Sequence, residues 1–190
     1  MEINETLRAK SRQEWRRWLE EYSTSAAYCW VLIGTKERPA AIAYVDAVEE
    51  ALCFGWIDGT MKKTDANELA QRFSPRQKNS NWTELNKERV RRLEKLGWMT
   101  EQGRRVLPDM GPESFSIDDE VETALKQDPQ VYENFMNFPE LYRRIRIDTI
   151  QSYKHLDREL FDKRLEKFIR HTRDNIMYGK WHDDGRLLDN

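Results

Sequence analysis

The chain has 190 residues and a net charge of −2, and 35% of its residues are charged, which suits a domain with a hydrophobic core and a well-hydrated surface. Its longest apolar run, residues 26–33, is far shorter than the ~18 residues that a membrane-spanning helix needs. These features exclude membrane insertion. Because the N-terminus carries no apolar leader and Cys29 and Cys53 are the only cysteines, we expect a cytoplasmic protein with reduced thiols.

The first predicted element is a helix that follows Ser11. Ser11 and Glu14 have the spacing of a capping box, which satisfies free N–H groups at the start of a helix. Apolar side chains then recur at helical spacing and predict a face that packs on the core. This face carries Trp15, Trp18, Leu19 and Tyr22.

A strand and a second helix are predicted next. Residues 29–34 are a short apolar run with β-branched side chains that ends in glycine, as in a buried strand. Residues 43–55 place apolar side chains on one helical face, and Gly55 stands where helices commonly end. The apolar face carries Tyr44, Ala47, Val48, Ala51 and Leu52.

Residues 56–63 and 69–75 are predicted to form a β-hairpin joined by a three-residue loop at 65–67. A one-residue slip would turn every side chain to the opposite face, so the loop length decides which residues are buried. The three-residue loop pairs Thr64 with Glu68, Met61 with Gln71, Gly59 with Phe73 and Asp58 with Ser74.

This register predicts that one face of the hairpin is apolar and the other is polar. Ile57, Met61, Leu69 and Phe73 share the face that can pack on the core. Trp56, Asp58, Thr60, Ala70, Arg72 and Ser74 share the other face.

Helices are predicted after Pro75, which ends the second strand. Asn81 together with Glu84, or Thr83 alone, would cap a helix that ends near Gly97. Its inward face is predicted to carry Trp82, Val90, Leu93 and Leu96. Its outer face is predicted to carry a basic stripe of Lys87, Arg91 and Lys95. Thr100 would cap a further, short helix that runs to about Leu107.

The sequence predicts an α+β fold that is helix-rich, with a small antiparallel sheet and an all-helical C-terminal region. We expect an α+β region at 1–108, a linker at 109–116, and helices at 117–190 that pack on the first region. The last helix would bury Leu160, Leu165, Phe168, Ile169 and Ile176.

Charge is distributed in blocks along the chain. Residues 62–105 carry a net charge of +6, residues 109–140 carry −8, and residues 141–180 carry +5. Such blocks commonly pack against one another or stay solvated. We expect the acidic segment 118–140 to lie near the basic helices of 141–180 within one helical unit.

Motifs of metal, cofactor and nucleophilic sites do not occur. His155, His171 and His182 are too far apart in sequence to form a pair of ligands one helical turn apart. No glycine-rich phosphate loop and no nucleophile-elbow motif is present. Cys29 and Cys53 lie in apolar contexts typical of buried thiols. We therefore expect no metal and no cofactor.

The region around the hairpin is the candidate ligand site. Arg72, Arg76 and Lys78 precede a helix whose free N–H groups favour an anion. We expect Asp58 to pair with Arg72 or Arg76 and to orient the guanidinium toward a bound phosphate or carboxylate. The predicted site comprises Trp56, Asp58, Arg72, Ser74, Arg76, Lys78, Ser80, Trp82 and Asn86.

Three phrases of the sequence carry a resemblance to a known family. They are "WRRWLEE", "AVEEALCFGWIDG" and "RFSPRQKNSNWTELNKERVRRLEKLGWMTEQG", and they resemble the YdeI/OmpD-associated family, also called the bacteriocin-protection family. The resemblance covers about residues 11–108, and the tail "YKHLDRELFDKRLEKF" matches loosely. It implies a small bacterial cytoplasmic protein connected with envelope stress and resistance to antimicrobial peptides. The resemblance implies no catalytic residue.

Three functions stay open on the sequence. The favoured one is a non-catalytic binding or regulatory protein whose partner is an anionic small molecule, a protein or a peptide. An enzyme that uses Asp58 as acid or base is the second, and a protein–protein adaptor working through the charged helical half is the third. The pI near 6.0 does not favour nucleic acid, and we expect a monomer or a weak dimer.

Overall fold

The computed structural model describes residues 3, 5–36, 38–77 and 80–188. Within these residues, eight α-helices and a four-stranded sheet confirm the helix-rich α+β class. None of the described helices is long and apolar enough to cross a membrane. In chain order the elements are β1 (Thr6–Leu7), α1 (Arg12–Tyr22), β2 (Cys29–Ile33), α2 (Tyr44–Cys53), β3 (Trp56–Lys63), β4 (Leu69–Pro75), α3 (Glu84–Lys95), α4 (Glu101–Arg104), a short 3₁₀ helix (Pro112–Ser114), α5 (Asp119–Lys126), α6 (Pro129–Asn137), α7 (Glu140–Gln151) and α8 (Arg158–Arg173).

The chain divides into two compact units. The first comprises residues 1–81 and 89–108, and the second comprises residues 82–88 and 109–190. The sheet, α1, α2 and α4 belong to the first unit, and α5 to α8 belong to the second.

The sheet of the first unit has the strand order β1-β2-β4-β3. The β4–β3 pair is antiparallel, as the hairpin predicts; the β2–β4 pair is antiparallel too, whereas β1 pairs with β2 in parallel. This two-residue edge strand was not predicted, because two residues are too few to show a hydrophobic period. The central strand β2 is buried along its whole length, as predicted.

Ser11 caps helix α1, as predicted. The Ser11 hydroxyl oxygen accepts a hydrogen bond from the Glu14 N–H at 3.3 Å, but the Glu14 carboxylate accepts from the Lys10 N–H at 2.8 Å, one residue before the cap, where a capping box would use the Ser11 N–H. Trp15 and Leu19 are buried, but Tyr22, at the last turn, is exposed and the prediction for it is wrong. The helix ends there, so its final side chain extends past the edge of the core.

The turn between α2 and β3 depends on Gly55. Its φ of +73° lies in the left-handed region, as expected of a residue just past a helix end. A Cβ at this position would come within 2.8 Å of a methyl carbon of Val106. The glycine therefore allows both the turn from α2 into β3 and the close approach of Val106.

The hairpin register is partly wrong. Near the loop, Met61 pairs with Gln71 as predicted, but a β-bulge between Asp58 and Met61 shifts the register. Asp58 consequently lies opposite Phe73, not Ser74. The bulge inserts one extra residue into β3. The β3 side chains between the bulge and Trp56 therefore point to the face of the sheet opposite to the predicted one, relative to β4.

The two hairpin faces change accordingly. Trp56 and Asp58 share a face with Phe73, and this face is covered by α1, since the Trp15 ring lies 5.5 Å from that of Phe73. Met61, predicted to be core, is 41% exposed. Gln71 is buried instead. Its side-chain amide is satisfied there, because it donates to the Gly59 carbonyl in the bulge at 2.9 Å.

Helix α3 also departs from the prediction at two points. Thr83 is the cap, accepting from the Asn86 N–H at 3.2 Å. Lys87 is buried rather than part of an outer stripe, because its ammonium contacts the Glu84 carboxylate at 2.8 Å. Leu96 is exposed, since the helix ends one residue before it.

The second unit has its own apolar core. It is formed by the inward faces of α5 to α8, which the sequence predicts as helices. Ile176 is half exposed and does not join this core, because α8 ends at Arg173. The largest buried side chains of the core are Tyr142, Phe161, Phe168, Leu125 and Ile147.

The acidic segment lies beside the basic helices, as predicted. Its carboxylates pair with cations of α7, of α8 and of the turn between these helices. The pairs are Asp118–Lys154, Glu120–Lys154, Glu120–Arg158, Asp128–Arg173 and Glu140–Arg144.

Candidate functional site

Asp58 is held by a hydroxyl group of α2. The Tyr44 phenol donates a hydrogen bond of 2.6 Å to the Oδ2 atom of Asp58. Tyr44 is the first residue of α2 and Asp58 is the third of β3, so the tight turn at Gly55 returns the chain alongside the helix. Both side chains are only half buried, which keeps the carboxylate within reach of solvent.

Arg76 is the second charged group of this site. Its backbone N–H donates to the Gly55 carbonyl at 2.9 Å, and its guanidinium Nη1 donates to the Asn81 carbonyl at 3.1 Å. The residue is only 6% exposed. Burial lowers the pKa of Arg76 to about 10, and the charge of Asp58 offsets part of that shift. The two groups are therefore electrostatically coupled.

A turn follows Arg76 directly. The Gln77 N–H donates to the Ser80 hydroxyl oxygen at 2.9 Å, and the Ser80 N–H donates to the Gln77 carbonyl at 2.9 Å. Lys78, which the sequence places in the ligand site, lies outside the described residues. We call Tyr44, Asp58, Arg76 and Ser80 the Asp58 cluster.

The remaining predicted site residues lie elsewhere. Trp56 is a core residue whose indole N–H donates to the Ser23 carbonyl at 3.1 Å. Arg72 and Ser74 point to the sheet face opposite to Asp58, and the Arg72 guanidinium lies 4.7 Å from the centre of the Tyr28 ring. Of the two predicted partners of Asp58, Arg72 and Arg76, Arg72 is therefore wrong, because the bulge places it on the opposite face.

Trp82 and Asn86 belong to the second unit. Trp82 is half buried and Asn86 is buried near the start of α3. Of the residues that the sequence singles out, the first unit places the charge of Asp58 near Arg76, and Ser80 follows Arg76 four positions along the chain. Sequence reasoning missed Tyr44, which it assigned to the apolar face of α2.

Sequence reasoning also missed a pair of buried carboxylates on α2. Glu49 and Glu50 are 0% and 3% exposed. Each of their four oxygens lies close to a guanidinium nitrogen of Arg12, Arg16 or Arg92. The contacts are Glu49 Oε2–Arg12 Nη1 at 2.6 Å, Glu49 Oε1–Arg92 Nη1 at 3.0 Å, Glu50 Oε1–Arg12 Nε at 2.8 Å and Glu50 Oε2–Arg16 Nη1 at 2.9 Å.

The contacts of these two carboxylates favour a role in holding helices together. Burial alone would lower the pKa of Arg12, but hydrogen bonds from it to Glu49 and Glu50 raise the pKa above its usual value. With a guanidinium at every oxygen, both carboxylates are engaged in ion pairs within the fold. The network joins α1, α2 and the C-terminal part of α3 within the first unit.

The described residues contain no group of three or more His, Cys, Asp or Glu side chains placed to hold a metal ion. Both cysteines are buried, and burial raises the pKa of each thiol to about 12. Thiolates are the reactive form of cysteine, so these two side chains are poorly suited to nucleophilic catalysis.

The fold and this cluster define a helix-rich α+β protein in which a tyrosine, an aspartate and a buried arginine meet beside a sheet edge. Residues 7–106 match the model of the family described as a domain of unknown function (DUF8412), and since the match covers more than half of the chain, the chain belongs to that family. Residues 114–175 match the model of the family described as Bacteriocin-protection, YdeI or OmpD-Associated.

The second match confirms the resemblance to the YdeI/OmpD-associated family. It falls on the helical C-terminal region rather than on residues 11–108, where the sequence phrases place it. The loosely matching tail therefore carries the family pattern. Comparisons with curated proteins and with solved structures gave no match.

Proposed function

We propose that the Asp58 cluster binds a small anion carrying a phosphate or carboxylate group. The observation that carries this proposal is the buried Arg76, whose cationic form is disfavoured by burial more than Asp58 favours it. An anion bound beside the guanidinium supplies further negative charge, and charge-assisted hydrogen bonds to a guanidinium are among the stronger ones in proteins.

Asp58 and Tyr44 act in this proposal as positioning residues. The hydrogen bond from Tyr44 fixes one carboxylate oxygen of Asp58, and the carboxylate in turn helps to hold the Arg76 charge. The Ser80 hydroxyl, which accepts from the Gln77 N–H next to Arg76, is a further hydrogen-bonding group of the proposed site.

A thermal-shift screen against nucleotides, inorganic phosphates and acidic peptides tests the proposal. A ligand that binds only the folded state raises the unfolding midpoint, and the stabilisation grows with the logarithm of the ligand concentration above its Kd. We expect the shift to shrink in Asp58→Asn and in Tyr44→Phe, which keep the size of each side chain.

Arg72→Gln is the matched control, because Arg72 lies in β4 on the opposite face of the sheet. An unchanged shift in Asp58→Asn and Tyr44→Phe, or an equal loss in Arg72→Gln, would contradict the assignment of the ligand to this cluster.

For the cell, we propose a cytoplasmic, non-catalytic role in protection against antimicrobial peptides under envelope stress. The match of residues 114–175 to the bacteriocin-protection family supports this role. Deletion of the gene in its host should lower the peptide concentration that stops growth. Complementation with the wild-type chain should restore resistance, and complementation with Asp58→Asn should not. A deletion strain as resistant as its parent would contradict the role.

A second candidate function is proton transfer by the Tyr44–Asp58 pair. The 2.6 Å hydrogen bond gives Asp58 a second titratable partner, which its own sequence motif lacks. If a ligand found in the screen is chemically changed by the wild type and not by Tyr44→Phe, the protein is an enzyme. If it is recovered unchanged, the binding function holds.

A further inference from the structure

Three cations of the second unit lie between α7 and α8 without a carboxylate partner. Several basic residues of this unit are neutralised by acidic residues, for example Lys154 by Asp118 and Arg173 by Asp128. Six other cations have no carboxylate oxygen of the described residues within ion-pair distance, and three of the six lie where α8 packs on α7. They are Arg146, Arg164 and Lys167, and we call them the basic seam.

The three cations lie close together. The Arg146 guanidinium is 4.3 Å and the Lys167 ammonium 4.8 Å from the centre of the same Tyr178 ring. Arg164 is one turn before Lys167 on α8, and its Nη1 donates at 2.8 Å to the carbonyl of Thr149 on α7. The seam is therefore one continuous patch formed by two neighbouring helices.

Aromatic rings hold the two guanidinium groups in place. Arg164 stacks on Tyr153 at 4.1 Å, as Arg146 does on Tyr178. The chain after α8 closes over Arg146 at Gly179, whose φ is +83° and where a Cβ would lie 2.9 Å from the Arg146 Nη1 atom. A stacked guanidinium loses little further conformational entropy on binding, and its edge N–H groups, apart from the Arg164 Nη1 group bound to Thr149, stay available to an anion.

We infer that the basic seam binds a compact, free anion with a phosphate group. Two arginine forks match phosphate oxygens in pairs, and Lys167 adds a point charge beside them. The Tyr178 ring is already contacted by Arg146 and Lys167, and the Tyr153 ring by Arg164, so these cations compete with a nucleic-acid base for stacking on the rings. This argues against a stacked single strand.

The charge of the whole unit favours a small ligand over a large one. The second unit contains 20 acidic and 14 basic residues. Its overall field therefore repels an extended polyanion or an anionic membrane surface, while the local field of the seam attracts a small anion. Inorganic pyrophosphate is a suitable probe because it is compact and multiply charged.

The test is a titration of the full chain with inorganic pyrophosphate at low salt, followed by calorimetry and by amide shifts in nuclear magnetic resonance spectra. We expect saturable binding, with shifts centred on α7 and α8. Lys167→Gln and Arg164→Gln should each weaken it on the order of fivefold or more, as expected for the loss of a charge-assisted contact. Both side chains reach solvent, so these variants should fold.

Lys163→Gln is the matched control, since Lys163 is an exposed neighbour on α8 that pairs with Glu159. Lack of saturable binding would overturn the inference, as would an equal loss in Lys163→Gln. Tighter binding to a short oligonucleotide or to phosphatidylglycerol vesicles than to pyrophosphate would also overturn it.

Asp58→Asn separates this inference from the proposed function. Pyrophosphate binding that persists in Asp58→Asn and weakens in Lys167→Gln supports the seam, whatever happens at the Asp58 cluster. The reverse pattern would place the anion at the Asp58 cluster and overturn the seam.

Discussion

At the scale of single residues, the environment of Asp58 follows from one extra residue in β3. The bulge turns this carboxylate to the face that carries Trp56 and Phe73, where the Tyr44 hydroxyl meets it at 2.6 Å. Without the bulge, Asp58 would share a face with Arg72. The residue identities alone therefore did not decide which cation would be its neighbour.

The Tyr44–Asp58 hydrogen bond should stabilise the first unit measurably. We expect Tyr44→Phe to lower the free energy of unfolding by ~1–2 kcal/mol, as for a partly buried bond to a charged acceptor. In an Asp58→Asn background the same substitution should cost less, since the charged acceptor is already gone. Urea unfolding of the wild type, the two single variants and the double variant measures this coupling. Strictly additive effects would show that the hydrogen bond contributes nothing to stability.

The two thiols should react slowly in the folded protein. Burial raises the pKa of both Cys29 and Cys53 to about 12, so very little thiolate is present at pH 8. We expect iodoacetamide to label neither residue in native buffer and both residues in concentrated urea. Mass spectrometry gives the labelled fraction, and rapid labelling of the folded chain would contradict the described burial.

At the scale of elements, the packing of α1 against α2 combines apolar and ionic contacts. The Trp15 indole N–H donates to the Ala47 carbonyl at 3.0 Å, so the aromatic stripe of α1 also satisfies a polar group of α2. Beside it, Arg12 reaches Glu49 and Glu50. Burying charged groups is costly, and the network is tolerated because all four carboxylate oxygens are engaged.

Removing one member of this network should be strongly destabilising. Glu49→Ala leaves Arg12 and Arg92 with less compensation inside the protein, and we expect a loss of ~3–5 kcal/mol in the free energy of unfolding. Glu20→Ala is the control, because Glu20 is mostly exposed and its pair with Arg16 should be worth ~0–1 kcal/mol. Denaturant unfolding measures both losses, and equal losses of stability in Glu49→Ala and Glu20→Ala would contradict the stabilising role of the network.

At the scale of the whole molecule, the charge blocks of the sequence become ion pairs within the second unit. Hydrogen bonds from Lys154, Arg158 and Arg173 lower the pKa values of Asp118, Glu120 and Asp128, respectively. Each carboxylate is thus a weaker base in the folded state than in the unfolded state. Its contribution is present above the unfolded pKa and is lost as the pH falls through the folded one.

We therefore expect the stability of the second unit to fall below about pH 4, the ordinary range of carboxyl groups. Asp148 has the opposite effect on stability. Burial raises its pKa, so as the pH falls the folded state binds this proton before the unfolded state does, and folding is favoured. Urea unfolding monitored between neutral and acidic pH measures the slope. Asp118→Asn should flatten it, and a slope identical to that of the wild type would contradict the assignment.

High salt should weaken the same pairs only modestly. Several of them are exposed, among them Arg158–Glu120, and exposed pairs are screened by salt and worth ~0–1 kcal/mol each. We expect a small decrease in the unfolding midpoint between low and high sodium chloride. A collapse of the second unit at high salt would show that the ion pairs, rather than the apolar core, hold it together.

The amino-acid sequence by itself determined those features that depend on neighbours a few positions away. The cap at Ser11, the buried strand β2, the left-handed Gly55 and the helices α5 to α8 all follow from local spacing. Caps and hydrophobic periods act over three or four residues, so the chain displays them directly. The α+β class follows from the same patterns.

Only the tertiary structure decided the bulge, the burial of Glu49 and the partner of Asp58. Arg92 is 43 residues from Glu49 in sequence, and Tyr44 is 14 residues from Asp58, so neither contact has a local spacing that could reveal it. The bulge is stabilised by the buried amide of Gln71, which meets the Gly59 carbonyl across the hairpin. A single inserted residue reverses the faces beyond it, because side chains alternate along a strand. For that reason the sequence could place Asp58 in the hairpin but could not identify the side chains that surround it.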